Sequence, residues 1–207
     1  MTKPRLITDE DGATRCFWCM SDPIYRDYHD REWGFPVVDD RRLFEKVCLE
    51  GFQAGLSWLT ILRKREHFRE AFHDFDIERV AKMNKRDVTR QLKNADIVRH
   101  RGKIESTINN AKRAIELIDA EGSIANHVWR LAPTENQAKL AWADAAQPTS
   151  PQSIALSKDL RKRGWTFVGP TTLHAFMQAM GLFNHHLDGC DSRVKADAAR
   201  RRLRLPK

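Results

Sequence analysis

The sequence lacks the long apolar segments of membrane proteins and secreted precursors. No apolar run approaches the roughly 20 residues needed to span a bilayer. The N-terminus, MTKPRLITDEDGATR, has no hydrophobic signal-peptide core. Of the 207 residues, 41% are hydrophobic and 31% are charged, which is typical of a soluble globule of one domain or two small lobes. We therefore expect a cytoplasmic protein without membrane association.

Cysteine is scarce, with four residues in the whole chain. In a cytoplasmic protein they favour metal binding or free thiols over disulfides. Cys16 and His29 lie near the N-terminus, and His186 and Cys190 lie near the C-terminus with i, i+4 spacing, on one face if a helix continues there. Two cysteines and two histidines would fill a tetrahedral zinc site, and such a closed site is structural.

Other interpretations of these residues remain open at this point. Cys16-x-x-Cys19 resembles half of a zinc knuckle, and His185 lies directly beside His186. The four thiols, Cys48 among them, could also be buried without any metal. Spacing alone does not decide between these alternatives.

The sequence has no run of alternating apolar and polar residues of the kind that predicts a β-strand. It also has no glycine-rich phosphate loop and no internal repeat. Helical signals fill most of the chain instead, so we predict an all-α fold. Asp40 is predicted to cap a helix over RRLFEKVCLE, and Ser57 another over WLTILRKREHFREAF. Asp76 precedes IERVAKM, and Asn84 forms a capping-box pattern with residue 87.

The second half of the chain continues this pattern. Apolar residues from Ile104 to Ile118 mark a long amphipathic helix that ends at Gly122. Residues 132–152 are rich in Pro, Ala and Thr and predict a loop between lobes, with Trp142 as an anchor. The segments SIALSKDLRKRG, WTFVGP and TTLHAFMQAMG then predict a helix, a tight turn and a helix.

Aromatic residues are sparse elsewhere but concentrated in residues 16–58, which hold both tyrosines and three of the six tryptophans. Glu50 lies among apolar neighbours in the same stretch. An aromatic lining with one carboxylate suits a planar, electron-poor ring that carries N–H groups. The alternatives are an ordinary aromatic core, with Glu50 either exposed at a helix end or paired with Arg41, Arg42 or Lys46.

The formal net charge is +8, which favours a polyanionic partner such as DNA. Part of the excess lies in residues 192–207, either a solvated tail or one that adds DNA affinity. In TFVGPTT, Gly169 and Pro170 begin a helix whose free backbone N–H groups could hold a phosphate. An ordinary helix–helix corner is the alternative.

Several of these segments together resemble one family. CFW…DPIYRDYHDREWG, LFEKVCLEGFQAGLSW, RHRGKIESTINNA, LRKRGWTFVGPTT and FMQAMGLFNHH…C are similar, in this order over residues 14–190, to 3-methyladenine DNA glycosylase I, a bacterial alkylation-repair enzyme. The resemblance implies a helix–hairpin–helix DNA glycosylase fold with a structural zinc that joins the N- and C-terminal segments. It implies a glycosylase domain of two helical lobes over residues 14–191, between an extension (1–13) and a basic tail (192–207). We expect a monomer, although the sequence itself does not decide the oligomeric state.

The resemblance also assigns roles to single residues. Glu50 matches the base-recognising glutamate and is the candidate catalytic residue. The zinc ligands fall on Cys16, His29, His186 and Cys190, which discounts Cys19 and His185. The other matched positions are the base-binding aromatics Tyr28, Trp58, Trp18, Tyr25 and Trp33, the DNA wedge Gly55, Leu56 and Ser57, and the phosphate-holding hairpin with Gly169 and Thr171.

The implied activity is hydrolysis of the N-glycosidic bond of 3-methyladenine in alkylated double-stranded DNA, which releases the free base and leaves an abasic site. The wider helix–hairpin–helix glycosylases carry a catalytic Asp after the hairpin. In that family the Asp follows the hairpin by about twenty residues. Asp188 and Asp191 lie near that spacing, but they belong to the zinc-ligand segment, so we expect neither to be catalytic. No lysine occupies an evident nucleophile position, so we expect no strand-cleaving lyase activity.

Two rival functions fit some of the same residues. A non-enzymatic module for damaged DNA would keep the hairpin and zinc without a base pocket, and Glu50 with Trp58 and Tyr28 argues against it. A zinc hydrolase needs an open metal position, and four protein ligands leave none.

Overall fold

The computed structural model describes residues 5–133 and 146–206, and most of them are α-helical. The prediction of a mainly helical protein is confirmed. Short 3₁₀-helices cover Phe17–Ser21 and His73–Phe75. The α-helices are α1 (Pro23–Arg31), α2 (Asp40–Gln53), α3 (Trp58–Arg63), α4 (Arg65–Ala71), α5 (Ile77–Ala81), α6 (Lys85–Lys93), α7 (Arg101–Glu121), α8 (Ile124–Trp129), α9 (Pro151–Lys162), α10 (Pro170–Ala179) and α11 (Asp191–Arg201).

The all-α prediction is wrong at the N-terminus, where two strands form a small antiparallel hairpin. Strand β1 (Leu6–Thr8) pairs with β2 (Thr14–Cys16), with Leu6 opposite Cys16. Gly12 has φ 78°, a left-handed conformation that suits the turn between them. Strands of three residues are too short to give an alternating pattern, so the sequence carried no signal for them.

Helix starts follow local capping, with one correction. Asp39, not Asp40, caps α2, since its side chain accepts from the Arg42 N–H at 2.8 Å. Asp40 instead accepts from the Ala125 N–H at the start of α8, at 2.9 Å. The predicted caps at Ser57 and Asp76 and the capping box of residues 84 and 87 are confirmed, as is the C-terminal glycine of α7, Gly122.

Two other predicted segments differ in extent. The helix expected over WLTILRKREHFREAF divides at Lys64 into α3 and α4. The predicted loop of residues 132–152 ends early, because Ser150 caps α9 and Pro151 occupies its first turn. Residues 134–145, which include Trp142, lie outside the described part of the chain.

Helix α2 is the central element of the core. Every residue from Leu43 to Phe52 is buried, and the helix packs against α3, α7, α8 and α10. Burial on all sides explains why charged residues of α2 must find partners inside the protein. The segment after α1 also runs against the end of α10, where Gly34 N donates to Ala179 O and Val37 N donates to Met180 O.

The C-terminal residues are partly ordered as a helix. Helix α11 begins at Cys190, its N-cap, and buries Ser192, Arg193 and Ala196. The carboxylate of Asp191 accepts from the Thr14 N–H at 2.8 Å, so the two ends of the chain meet here. Among the described residues, no helix is both long and apolar enough to cross a membrane.

Candidate base pocket and metal cluster

A cavity of about 180 Å³ lies where α1, α2, α3 and α10 converge. All six residues predicted for base recognition line it, so the structure brings them together. The lining consists of Trp18, Tyr25, Tyr28, Trp33, Glu50, Gln53, Trp58, Ala175 and Gln178.

The aromatic wall comes from short elements at the N-terminus. The 3₁₀-helix presents Trp18, and α1 presents Tyr25 and Tyr28, which are three residues apart and so share one helix face. Trp18 meets Tyr25 edge-on at 4.9 Å and Trp33 edge-on at 5.0 Å between ring centroids. These contacts fix the rings as a rigid lining for a flat ligand.

Glu50 lies in the last turn of α2, and its side chain is 4% exposed. The solvent-exposed alternative is therefore wrong. Lys46, one turn earlier on the same helix, places Nζ 2.8 Å from Glu50 Oε1 and is equally buried. Of the three basic residues considered as partners, Lys46 is the one that pairs with this carboxylate.

Lys46 also contacts the pocket aromatics. Its ammonium donates to the Tyr28 hydroxyl at 2.8 Å and lies 3.2 Å from the centroid of the Trp58 ring. Burial lowers the pKa of Lys46 to about 8, although the neighbouring Glu50 opposes that shift. Burial, with Glu50 second, raises the pKa of Tyr28 well above its ordinary value, so the phenol stays neutral.

Trp58 has an unused polar group. Its indole N–H is buried and has no hydrogen-bond partner among the described residues. Because an unpaired buried donor is costly, a ligand or water that accepts from it would be stabilised. The pocket therefore combines stacking surfaces, one indole donor and one carboxylate acceptor.

Sequence reasoning missed two glutamines in the lining. Gln53 lies three residues after Glu50 on the same helix, and that spacing was a usable signal. Gln178 comes from α10 and had no local signal. Its amide nitrogen lies 3.2 Å from His174 Nε2 and 2.7 Å from His185 Nδ1, so His185 supports the pocket and is not in the metal cluster.

The predicted metal ligands meet in one buried cluster. The ligand atoms of Cys16, His29, His186 and Cys190 all lie within 4.8 Å of one another. His29 Nε2 is 3.1 Å from His186 Nδ1, and Cys190 Sγ lies 3.6 Å and 3.7 Å from these two nitrogens. This donor set, two sulfurs and two imidazole nitrogens, is one that suits zinc.

The histidines are oriented by their second nitrogens. His29 Nδ1 bonds to the Asp30 carboxylate at 2.8 Å, and His186 Nε2 donates to the Trp33 carbonyl at 2.9 Å. Partners of this kind fix which nitrogen faces a metal. Asp30 is held in turn by Arg15, whose Nε donates at 2.8 Å.

The two cluster thiols shift each other's pKa in opposite directions. Their mutual hydrogen bond, with burial, raises the pKa of Cys16, whereas the same bond and the nearby histidines lower the pKa of Cys190 to about 2. A thiolate is thus favoured at Cys190, and metal binding would release the proton that the pair shares.

Two details of the cluster differ from sequence expectation. His186 and Cys190 are joined by a turn and not by a continuing helix, since Cys190 N donates to Leu187 O just before α11. Cys19 is buried beside the cluster but is not one of its four residues, and its thiol donates to the Cys16 carbonyl at 3.1 Å.

The predicted wedge loop follows α2 directly. Gly55 has φ 81°, and Leu56 is 41% exposed, which is unusual for a leucine beside a buried pocket. Lys103 of α7 donates to the carbonyls of Phe52 and Ala54 at 2.8 Å and 2.6 Å. Lys103 therefore holds the backbone that leads into the loop, and Leu56 projects into solvent.

The predicted hairpin is α9, a turn and α10. Ser157 donates to the Val168 carbonyl at 2.7 Å, and Asn110 accepts from the Thr166 N–H at 2.9 Å, so the turn is anchored on both sides. The first helical hydrogen bond joins Leu173 N to Gly169 O. The N–H groups of Thr171 and its successor thus precede the helical ladder and can serve an anion.

The fold and the pocket define a class: a helical protein that can take one planar ring out of solvent. The methyladenine glycosylase family model matches residues 18–194. DNA-3-methyladenine glycosylase 1 of Escherichia coli (strain K12) is 48% identical over 177 residues, 85% of this chain and 95% of that protein. The Haemophilus influenzae DNA-3-methyladenine glycosylase is 45% identical over 86% of this chain and 97% of that protein. The chain therefore belongs to the methyladenine glycosylase family.

Solved structures agree with this membership. A crystal structure of 3-methyladenine DNA glycosylase I superposes with a TM-score of 0.81 at 48% identity, over 86% of this chain and 98% of that one. A structure of the Staphylococcus aureus 3-methyladenine DNA glycosylase I, described as showing the structural basis of 3-methyladenine recognition, superposes with a TM-score of 0.82. The two chains are 38% identical, and the match covers 86% of this chain and 96% of that one.

Proposed function

We propose that this enzyme excises 3-methyladenine from alkylated DNA by hydrolysing the N-glycosidic bond, which leaves an abasic site and an uncut strand. The observation that carries the proposal is the buried carboxylate of Glu50 within an aromatic cavity, in a chain of the methyladenine glycosylase family. The relatives that match over nearly their whole length are named for this activity.

The base must leave the duplex stack before the enzyme can reach its glycosidic bond. The flipped ring would stack on Trp58, near Tyr28, while Glu50 accepts from the exocyclic amine. The lesion is cationic, so its glycosidic bond is already weak and the departing base is neutral. The pocket then needs to select the cation and stabilise positive charge on the sugar, with less acid catalysis than excision of a normal base.

The DNA contacts follow from the two exposed segments. Leu56 would fill the space of the flipped nucleotide, and Gly55 permits close approach of the backbone. Gly169 and Thr171 would hold a phosphate at the start of α10, with the helix dipole favouring its negative charge. We propose that α9, the turn and α10 act as a helix–hairpin–helix motif.

We further propose that zinc is the ion of the cluster. Cys16, His29, His186 and Cys190 would hold it, and four protein ligands would leave no position for water or substrate. The metal would cross-link the chain ends and supply no chemistry to the base. Lyase activity is not expected, because Lys46, a buried amine behind the pocket, is held by Glu50 and Tyr28.

Replacement of Glu50 by Gln tests the role of the carboxylate. Loss of one charged hydrogen-bond acceptor should lower excision of 3-methyladenine from methylated DNA at least about tenfold, with the fold preserved. The measurement is chromatography of released bases under single-turnover conditions, with circular dichroism to confirm the fold.

Glu45→Gln is the matched control, because Glu45 is also buried on α2 but pairs with Arg69 outside the base pocket. It should excise at the wild-type rate. Equal activity of Glu50→Gln and wild type would remove Glu50 from the mechanism. Wild-type protein that releases no 3-methyladenine would refute the proposed function itself.

A further inference from the structure

A lysine buried behind a pocket for a cationic ring is an unusual placement. Lys46 is 5% exposed and contacts Glu50, Tyr28 and Trp58, three residues that line the base pocket. A second positive charge beside a cationic ligand would weaken its binding by like-charge repulsion. The position of Lys46 therefore has to be reconciled with the charge of the base, on which the proposed function rests.

Other charged groups near Lys46 are already paired with each other. Arg65 of α4 makes a bidentate contact with Glu32, at 2.7 and 2.9 Å. Arg69 of the same helix donates to Glu45 at 2.9 Å. Arg42 of α2 lines the small cavity beside Lys46 together with these groups. Tyr28 of α1 and Met180, the residue after α10, are the uncharged residues that face it from those two elements. Of the carboxylates in this group, Glu50 is the one that lines the base pocket, and Lys46 lies behind it as its partner.

The charge balance of the pocket then depends on one proton. In the empty pocket, ammonium and carboxylate sum to zero. A cationic base added to that pair leaves one uncompensated positive charge in a buried site, which is costly. If the ammonium loses its proton, the carboxylate and the cationic base sum to zero again.

A second cavity offers that proton a way out. It measures about 20 Å³ and is lined by Lys46, which does not line the base pocket, and by Tyr28 and Trp58, which line both cavities. This volume suffices for about one water molecule. A water there, among the charged side chains of the cavity, could pass the proton to bulk solvent.

We propose that Lys46 switches its charge with the occupancy of the base pocket. Its ammonium balances the charge of Glu50 in the empty enzyme, and it gives one proton to solvent when a cationic base binds beside that carboxylate. The ammonium becomes a neutral amine, which still donates to Glu50 and now accepts from the Tyr28 hydroxyl. No bond other than N–H is broken.

The same exchange favours product release. Cleavage of the glycosidic bond leaves the base neutral, because the bonding electron pair stays with the ring. Lys46 then regains a proton from solvent and its ion pair with Glu50 re-forms. The pocket thereby binds the cationic substrate in preference to the neutral product.

The expected pH dependence follows from the position of Lys46. Its pKa is lowered to about 8, chiefly by burial. Below that pH the lysine is protonated and must release its proton, so affinity for a cationic base should rise about tenfold per pH unit. Above it the amine is already neutral, and the affinity should become independent of pH. Affinity for a neutral base should change little across the range.

Calorimetry on the full-length wild-type protein tests the proposal directly. The probes are the 3,9-dimethyladeninium cation, which carries a fixed charge and cannot be excised, and neutral 3-methyladenine. Titrations in two buffers of different ionisation enthalpy count the protons released. At pH 7 the cation should release about one proton per site, and neutral 3-methyladenine should release none. At pH 9.5 the count for the cation should fall towards zero.

Lys46→Arg supplies the matching variant, since arginine keeps the ion pair but holds its proton at all accessible pH values. It should bind the cation with no proton release and about tenfold more weakly than wild type at pH 8, with binding of 3-methyladenine little changed. Lys112→Arg, on an exposed position of α7, should behave as wild type in every titration.

The outcomes separate this proposal from the proposed function. Wild-type protein that excises 3-methyladenine but releases no proton on binding the cation would overturn the role of Lys46 alone. Undiminished proton release in Lys46→Arg would do the same. If Lys46→Arg fails to fold, the pH dependence of wild-type binding decides, and a flat profile below pH 8 overturns the proposal. Failure of the proposed function would appear as absent excision in wild type.

Discussion

At the residue scale, two glycines with similar backbone angles have different surroundings. Gly181 has φ 72°, and a β-carbon there would lie 2.4 Å from the Phe35 carbonyl carbon and 2.5 Å from Pro36 N. Gly12 has φ 78°, with no atom within 4 Å of the same position. Gly181 is where the segment before α2 crosses the end of α10, next to the pocket wall.

Replacement of each glycine by alanine separates backbone strain from close packing. Gly12→Ala should cost about 1 kcal/mol of unfolding free energy, the cost of a left-handed alanine. Gly181→Ala should cost at least about 2 kcal/mol more, because backbone atoms, unlike side-chain ends, cannot easily move aside. Urea unfolding measures both. Equal losses would mean that the two segments do not approach closely.

At this scale, the sequence predicted the surroundings of a residue correctly in two situations. Either its partners lie near it in the sequence, or the family resemblance names them. Tyr28, Trp58 and Glu50 were expected in one pocket, and they line one. Lys46 was considered only as one of three possible partners of Glu50. The sequence does not show that α2 is buried on all sides, so it gave no reason to prefer Lys46 over Arg41 or Arg42. Gln178 could not be found at all, since it reaches the pocket from a helix more than a hundred residues away.

At the element scale, local chemistry predicted most helix starts. Ser57 and Asp76 cap their helices as expected because capping depends on hydrogen bonds within four residues. Asp39 and Asp40 are both capable caps, and only the contact between α2 and α8 decides between them. The β-hairpin and α11 were missed because each is stabilised by the other chain end and not by its own pattern.

The turn between α9 and α10 gives the prediction at this scale. A β-carbon at Gly169 would meet nothing closer than 3.6 Å, an Arg161 guanidinium nitrogen. Substitution should therefore preserve the fold. Gly169→Glu should weaken binding to damaged and undamaged duplexes alike, at least about tenfold, because its carboxylate would occupy the phosphate position.

Gly169→Gln is the control of equal size without the charge, and it should bind more tightly than Gly169→Glu. Fluorescence anisotropy at two salt concentrations measures both, and the difference between them should shrink at high salt. A defect confined to lesion-containing DNA would contradict a phosphate-holding turn.

At the scale of the whole molecule, the metal cluster and the base pocket form one structure. His186 donates to the Trp33 carbonyl and meets the Trp33 ring edge-on at 4.8 Å, and Trp18 meets His29 at 5.2 Å. Trp18 and Trp33 line the pocket on their other sides. Residues from both chain ends thus support the aromatic wall.

Loss of one ligand should therefore affect metal, stability and pocket together. Cys190→Ser should abolish zinc binding and lower the melting temperature by roughly 10 °C or more, since structural zinc contributes several kcal/mol to folding. Affinity for 3-methyladenine should fall as Trp33 loses its support. Cys19→Ser is the matched control: its hydroxyl can still donate to the Cys16 carbonyl, so zinc content, melting temperature and base affinity should stay near wild type. Zinc kept by Cys190→Ser but lost from Cys19→Ser would instead favour a site built on Cys16 and Cys19. Wild-type protein free of zinc would show that the cluster holds only hydrogen-bonded thiols and imidazoles.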